Sequence, residues 1–285
     1  MKYPLIHRLL AAGMLAWALV SCEDKIDLDL PEGERFTVVQ GWISNEPGPH
    51  LFRVNFTQPY FDSSPPPPVT GAIVTLRDDQ GMETVLTEVQ PGTFAYPDAG
   101  VLGRSYSLRV VLPDGTAFES DFETLSEPVP IDAIRWGISS RGPSALLDQT
   151  PDQIYEVVID TQDPAGVGDF YRWKLIVNGI ERSRPVDLTI ASDEFVDGNP
   201  IVNFEPFFEL FLLGDTVTIV QERITREAYE FLLLIQSQTA FVGGPFDTPP
   251  APIRGNVRNL SDPLRPAMGF VGAAARSRAT VVVGN

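Results

Sequence analysis

The stretch Leu51-Phe52-Arg53-Val54-Asn55-Phe56 decides the fold, because it sets Phe52, Val54 and Phe56 on one face and Arg53 and Asn55 on the other. Alternation with period two is the mark of a half-buried β-strand. Working outward, the same texture recurs in short runs. Upstream lies Phe36-Thr37-Val38-Val39-Gln40-Gly41-Trp42-Ile43. Downstream, Ala72-Ile73-Val74-Thr75-Leu76-Arg77 enters the turn Asp78-Asp79-Gln80-Gly81, and Thr84–Val89, Ser105–Leu112 and Thr116–Phe122 follow. Pro113-Asp114-Gly115 joins the last two runs as a hairpin in which glycine takes the positive φ.

Short strands at this spacing predict an immunoglobulin-like β-sandwich over residues 36–125. The run Gly71–Leu76 with Asp79-Gln80-Gly81, Pro91-Gly92-Thr93-Phe94 and Tyr106-Ser107-Leu108 resembles the carboxypeptidase-regulatory-like sandwich, a structural module without catalytic residues of its own. Residues 126–130 read as a linker, since Pro128 and Pro130 interrupt any strand ladder. A second β-rich domain is expected over 131–285, with strands near Ile131–Ile138, Tyr155–Asp160, Tyr171–Val177, Asp187–Ile190 and Thr216–Gln221, closed by a hairpin of Met268–Ala274 with Arg278–Val283. One helix is expected near 225–239. Thr225 caps it, Glu227 suits its positive end, and Ala228, Phe231, Leu232 and Ile235 share a face. Tyr229, Leu233 and Leu234 widen that stripe, which predicts a largely buried helix. The fold class is therefore mainly β, with two sandwich-like domains and one buried α-helix.

Charge and composition exclude several functions. The 285 residues carry 21 Lys+Arg against 38 Asp+Glu, a formal charge of −17. Nucleic-acid binding rests on cationic contacts to phosphate, so no nucleic-acid partner is expected. A single cysteine rules out an intrachain disulfide or a cysteine-rich metal cage. Residues 1–21 read as a secretory signal: Lys2 and Arg8 precede the apolar Leu9–Val20, which is shorter than the ~20 residues of a spanning helix. His50 is then the one imidazole left, so a two-histidine metal site is excluded.

The signal ends in Leu19-Val20-Ser21-Cys22, which resembles the lipobox of bacterial lipoproteins. There the chain is cut before the cysteine, and the Cys22 thiol carries a diacylglyceryl group, which would hold the protein to a membrane. Residues 22–35 form an acidic tether. Its Glu23 and Asp24 look like the acidic export tag of surface lipoproteins in Bacteroidota, the reading preferred over a solvated spacer.

Catalytic motifs are missing. Gly137-Ile138-Ser139-Ser140-Arg141 fails the nucleophile elbow at its last position. A triad would have to use His50, which follows the Pro47-Gly48-Pro49 turn and reads as a solvated turn histidine. Paired carboxylates for glycoside hydrolysis cannot be assigned from spacing alone. For calcium, Asp193-Glu194 with Asp197-Gly198-Asn199, or Asp160 and Asp163 with Asp169, offer oxygens. Neither set fits the EF-hand spacing, so no metal and no cofactor are expected, and no enzyme.

Two segments suggest contacts with a partner. In Asp62-Ser63-Ser64-Pro65-Pro66-Pro67-Pro68 the prolines favour an extended polyproline II course. A stiff crossover explains them without a partner; as a rigid ridge, Tyr60, Phe61, Pro65 and Pro66 would be the contacts. The run Phe204–Leu213 is unusually apolar. It is either core or a docking patch, with Phe207, Phe208 and Phe211 as contact candidates.

Across the whole chain the order of short motifs resembles the Bacteroidota lipoprotein family described as domain of unknown function 4249. The matching residues are Cys22-Glu23-Asp24 with Ile26-Asp27-Leu28, Val39-Gln40-Gly41-Trp42-Ile43, Pro59-Tyr60-Phe61-Asp62, Tyr171-Arg172-Trp173 and Ser192–Gly198. Gly214-Asp215-Thr216-Val217, Ala228-Tyr229-Glu230-Phe231 and Gly255-Asn256-Val257 complete the series. The resemblance implies an outer-membrane accessory subunit beside a TonB-dependent receptor and carries over no catalytic residues. The alternative is a surface carbohydrate-binding or adhesion module whose Trp42, Tyr60 and Phe61 stack on sugars.

Overall fold

A computed structural model describes residues 34–59, 62, 64–141, 154–239 and 253–284. Cys22, Glu23, Asp24, Tyr60 and Phe61 lie outside the described residues, and with them the signal and the tether up to residue 33. The described residues from Arg35 onward pack as one compact unit.

In the first block the strands are β1 (Thr37–Ser44), β2 (His50–Phe56), β3 (Ile73–Asp78), β4 (Glu83–Val85), β5 (Thr87–Gln90) and β6 (Thr93–Tyr96). β7 (Ser105–Val111), β8 (Ala117–Ser120) and β9 (Glu123–Thr124) complete it. The period-two reading of 51–56 holds: Phe52 and Val54 are fully buried. The hairpin at Pro113–Gly115 also forms, with Gly115 at φ 89° joining β7 to β8. The expected strand 84–89 is two strands. β4 pairs with β3 and β5 with β6, so the chain crosses from one sheet to the other at the buried Leu86.

The second block contains β10 (Ile131–Ile138), β11 (Tyr155–Gln162), β12 (Phe170–Val177), β13 (Ile180–Glu181), β14 (Thr189–Ser192), β15 (Pro200–Phe204) and β16 (Thr216–Ile224). Helix α1 (Arg226–Thr239), β17 (Val257–Asn259) and β18 (Val271–Val282) follow. Among the described residues no helix is long and apolar enough to cross a membrane.

Both blocks are sandwiches, and they share a sheet. Its strands run β13-β12-β16-β18-β1-β2-β6-β5, with β14 also on β12. A second sheet, β17-β8-β7-β3-β4 with β9, faces the β1 end, and a third, β10-β11-β15, faces the β12 end. The first core lies between Val39, Ile43, Phe52 and Phe94 on one side and Val74, Leu76, Leu108 and Phe118 on the other. The second lies between Val157 and Ile159 and the row Tyr171, Trp173, Leu175, Val217 and Ile219. Each such large side chain, fully buried, contributes about 1.5–3 kcal/mol.

The core changes across residues 126–130: Leu125 belongs to the first and Val129 to the second. The sheet itself does not break there. β1 pairs in parallel with β18, Gly41 opposite Val271 and Ser44 opposite Ala274. The C-terminal segment thus completes the first sandwich, through β17 on β8 and through Val271, Ala273 and Ala275 in its core.

The expected closing hairpin is instead the single strand β18, twelve residues long. It runs without a turn because its polar centre is satisfied by distant partners: Arg276 Nε reaches Glu222 at 2.7 Å, and Arg278 Nε reaches Glu46 at 2.6 Å. Gly272 has no room for a side chain, since a Cβ there would lie 2.3 Å from the Trp42 ring.

Helix α1 packs over the other face of the shared sheet, against Phe170, Ile224, Phe270 and Ala274. It buries Ala228 and Leu232 and half-buries Tyr229, Phe231 and Ile235. Leu233 and Leu234 are 43% and 51% exposed, so the helix buries one stripe rather than most of its girth. The wide apolar pattern overstated its burial because only one side of the helix meets a sheet.

Candidate functional site

The apolar run 204–213 has two roles. After β15 the chain turns back onto β11, where Phe211 N–H donates to the Tyr155 carbonyl at 2.8 Å and Tyr155 N–H to the Phe211 carbonyl at 3.0 Å. That return inserts Phe207 and Phe211, 9% and 2% exposed, into the second core. These two are therefore corrected from contact candidates to core residues. Phe208, between them in the chain, is turned outward and is 83% exposed.

Phe208 borders a groove of about 480 Å³ lined by Arg184, Val186, Asp187, Thr189, Pro206, Phe207 and Glu209. A second hollow of about 390 Å³ shares Arg184, Asp187 and Glu209 with it. The rim charges are already paired. Arg184 grips both oxygens of Asp187, at 3.0 and 2.7 Å, and Arg182 Nε reaches Glu209 at 3.0 Å. The bonds from Arg184 hold the Asp187 carboxyl below the usual range. Arg141 stands 5.6 Å from the Phe208 ring centroid and is paired with Glu205. The arrangement is an apolar centre with a neutralised polar edge.

The proline segment belongs to the first sandwich. Phe56 N–H donates to the Pro67 carbonyl at 2.8 Å, Pro68 bridges Asn55, and Val69 enters the first core. These contacts make it a crossover from β2 to β3 laid along β2. Pro65 and Pro66 remain exposed on it.

Trp42 is not free to stack on a ligand. The Arg172 guanidinium lies 3.8 Å from its ring centroid and Phe270 stacks at 5.9 Å. His50 is likewise not a solvated turn residue: it is buried, and its Nε2–H donates to the Glu46 carbonyl at 3.1 Å. Burial and the nearby Arg276 lower its pKa, which favours the neutral ring. Through that bond to Glu46 its role is to fasten the β1–β2 turn.

Aspartates from the two calcium sets that the sequence offered come together. Asp163, Asp169 and Asp193, all buried, place oxygens within 4.8 Å of one another. The register explains this, since Phe170 pairs with Ser192 and so sets Asp169 beside Asp193. Sequence spacing could not show it, because the contact depends on β12 meeting β14. Asp160 points elsewhere, to Arg135 at 2.6 Å.

Asp163 accepts the Tyr171 hydroxyl at 2.6 Å and the Gly198 N–H at 2.9 Å. Asp193 accepts the Gly168 N–H at 2.8 Å, and Arg223 pairs with Asp169. Burial raises the Asp169 carboxyl and, with the bond to Asp163, the Tyr171 phenol. Carboxylate oxygens are the donors calcium takes, but it needs six to eight of them. With backbone N–H groups and Arg223 engaged, the three act as a clasp between the loops after β11 and β14.

A two-domain fibronectin type-III segment of chicken tenascin is similar over 67% of this chain and 91% of that one, at 12% identity and a TM-score of 0.20. At that level the likeness adds nothing to the fold, which rests on the strand pairing above. No curated protein matches the chain. A family model matches residues 23–280, nearly the whole length, and the chain belongs to that family, described as Domain of unknown function (DUF4249).

Proposed function

We propose that the protein is a lipid-anchored, surface-exposed outer-membrane lipoprotein that acts without catalysis, as an accessory or binding subunit of a TonB-dependent receptor. The observation that carries the contact is Phe208, held outward by a segment pinned through Phe207 and Phe211. A large aromatic on a rigid support is the usual form of an interface anchor. The paired rim of Arg184–Asp187 and Arg182–Glu209 favours a protein surface over a charged small molecule, because it has no net charge left to offer. Cys22 supplies the anchor and Glu23-Asp24 the export tag, both on the strength of the sequence alone.

Affinity purification of the tagged lipoprotein from solubilised outer membranes tests this. A β-barrel receptor should co-purify with the wild type. Phe208→Ser should lower its recovery about tenfold or more, as loss of an interface anchor does. Cys22→Ala should move the protein to the soluble fraction, and protease added to intact cells should digest the wild type. Recovery of no barrel at all would sink the receptor reading. A stand-alone carbohydrate-binding module is the lesser reading, since Trp42 is covered by Arg172 and Phe270.

A further inference from the structure

Glu123 sits where three elements meet, and it is 2% exposed. It lies on β9, opposite Tyr106 of β7. Its Oε2 is bonded to the hydroxyl of Thr225, the residue that caps α1 by accepting the Ala228 N–H at 3.2 Å. Its Oε1 accepts from the Asn256 side-chain amide at 3.1 Å. Asn256 in turn holds Val271 twice, donating to its carbonyl at 2.9 Å and accepting its N–H at 3.0 Å. One set of bonds thus ties the first sandwich to the head of the helix, the entry to β17 and the start of β18.

The charges around this carboxyl are one-sided. Glu227 in the first turn of α1 and Asp121 just before β9 both bear on it and both are acidic. Of the cations on the neighbouring elements, three are engaged elsewhere, and Arg254, on the Asn256 segment, is exposed. Arg226 lies 4.9 Å from the Phe170 ring centroid, Arg223 pairs with Asp169, and Arg258 pairs with Asp121 at 2.8 Å. On β7 the Tyr106 hydroxyl accepts the Val101 N–H at 2.7 Å. Both direct partners of Glu123, Thr225 and Asn256, are neutral.

The hydrogen bonds accommodate either protonation state. As a neutral acid, Oε2–H donates to Thr225 Oγ1 and Oε1 accepts from Asn256; as a carboxylate, Thr225 donates instead. Only the charge changes, and a buried charge without a counter-ion is costly.

We propose that Glu123 is a protonation latch: neutral, it seats the head of α1 and the Asn256 segment on the first sandwich, and on ionising it loosens that seam and uncovers the apolar face beneath the helix. Burial pushes this carboxyl up to about 7 against the pull of the Thr225 and Asn256 bonds, and Glu227 and Asp121 add to the rise. The folded value stands above the ordinary 4.5, so the native state holds the extra proton between the two. The stabilisation is complete below about 4.5 and is lost as pH rises through about 7. The face exposed would be Phe170, Phe270 and Ala274, with Trp42 beside them.

Hydrogen exchange of the α1 amides between pH 5 and 8.5, corrected for intrinsic exchange rates, reads the latch directly. In the wild type their protection should fall on the order of 100-fold over that range, as the gap between the two values requires. Glu123→Gln keeps both hydrogen bonds and stays neutral, so its protection should remain at the low-pH level throughout. Glu227→Gln leaves the seam intact and should move the wild-type midpoint to lower pH. A flat wild-type profile, or the same slope in Glu123→Gln, would overturn the proposal. Should Glu123→Gln fail to fold, an unmoved midpoint in Glu227→Gln would overturn it equally.

Discussion

Glu222 shows how a buried charge is kept ionised. It is fully buried, with Arg172 bonded to one oxygen, Arg276 Nε at 2.7 Å from the other and Lys174 Nζ at 3.8 Å. One nitrogen of Arg172 finds no hydrogen-bond acceptor, and the face of Trp42 takes that place. Burial alone would raise the Glu222 carboxyl, but Arg172, Lys174 and Arg276 outweigh it and hold it near about 2. Its folded value lies below the ordinary 4.5, so its stabilisation is present above that pH and is lost as pH falls through about 2. Glu222→Gln should cost about 3–5 kcal/mol in denaturant unfolding at pH 7, because it strands buried guanidinium groups. The gap to the wild type should close as the pH is taken down from 4.5 toward 2; a gap unchanged with pH would place the cost in packing instead.

At the scale of elements, α1 is held by a narrow stripe. Leu232→Ala should lower stability by about 2–5 kcal/mol, as core truncations do. Leu233→Lys should stay within about 0.5 kcal/mol, as surface changes do. Thermal unfolding of the two variants checks the pair; equal losses would mean that the outer side of the helix is covered. Local patterns were legible wherever one face settled the matter, as in β2, the Pro113–Gly115 hairpin and the cap of α1. They misled where a distant partner intervened. Arg276-Ser277-Arg278 reads as a break in the last strand until Glu222, Val129 and Glu46 are seen to satisfy it. The run 204–213 could be judged apolar from sequence, but which of its phenylalanines faces outward depends on its return to β11. The aspartate clasp was half legible: the residues stood out, while their meeting depends on the register of β12 against β14. Glu123 gave no signal at all, since a lone glutamate before a linker carries no mark of the Asn256 that will lie against it.

For the molecule as a whole, β18 is the common member. Val271, Ala273 and Ala275 serve the first core, Ala274 lies under the helix, and Val283 just beyond it closes the second core. A chain ending at residue 255 retains every strand of the first block yet loses the neighbour of β1 and the cover of β8. It should show no cooperative transition in calorimetry, whereas residues 34–284 should melt cooperatively; a sharp transition in the shortened chain would mean that the first sandwich stands alone. The parallel pairing of β1 with β18 also has a consequence in time. Among the described strands, the first in the chain has, as its neighbour, the last. Until β18 joins it, β1 presents an open edge and the first sandwich an unfilled core, and contacts so far apart in the chain form slowly. The folding protein therefore passes through a stage in which its earliest strands are the most prone to mispairing.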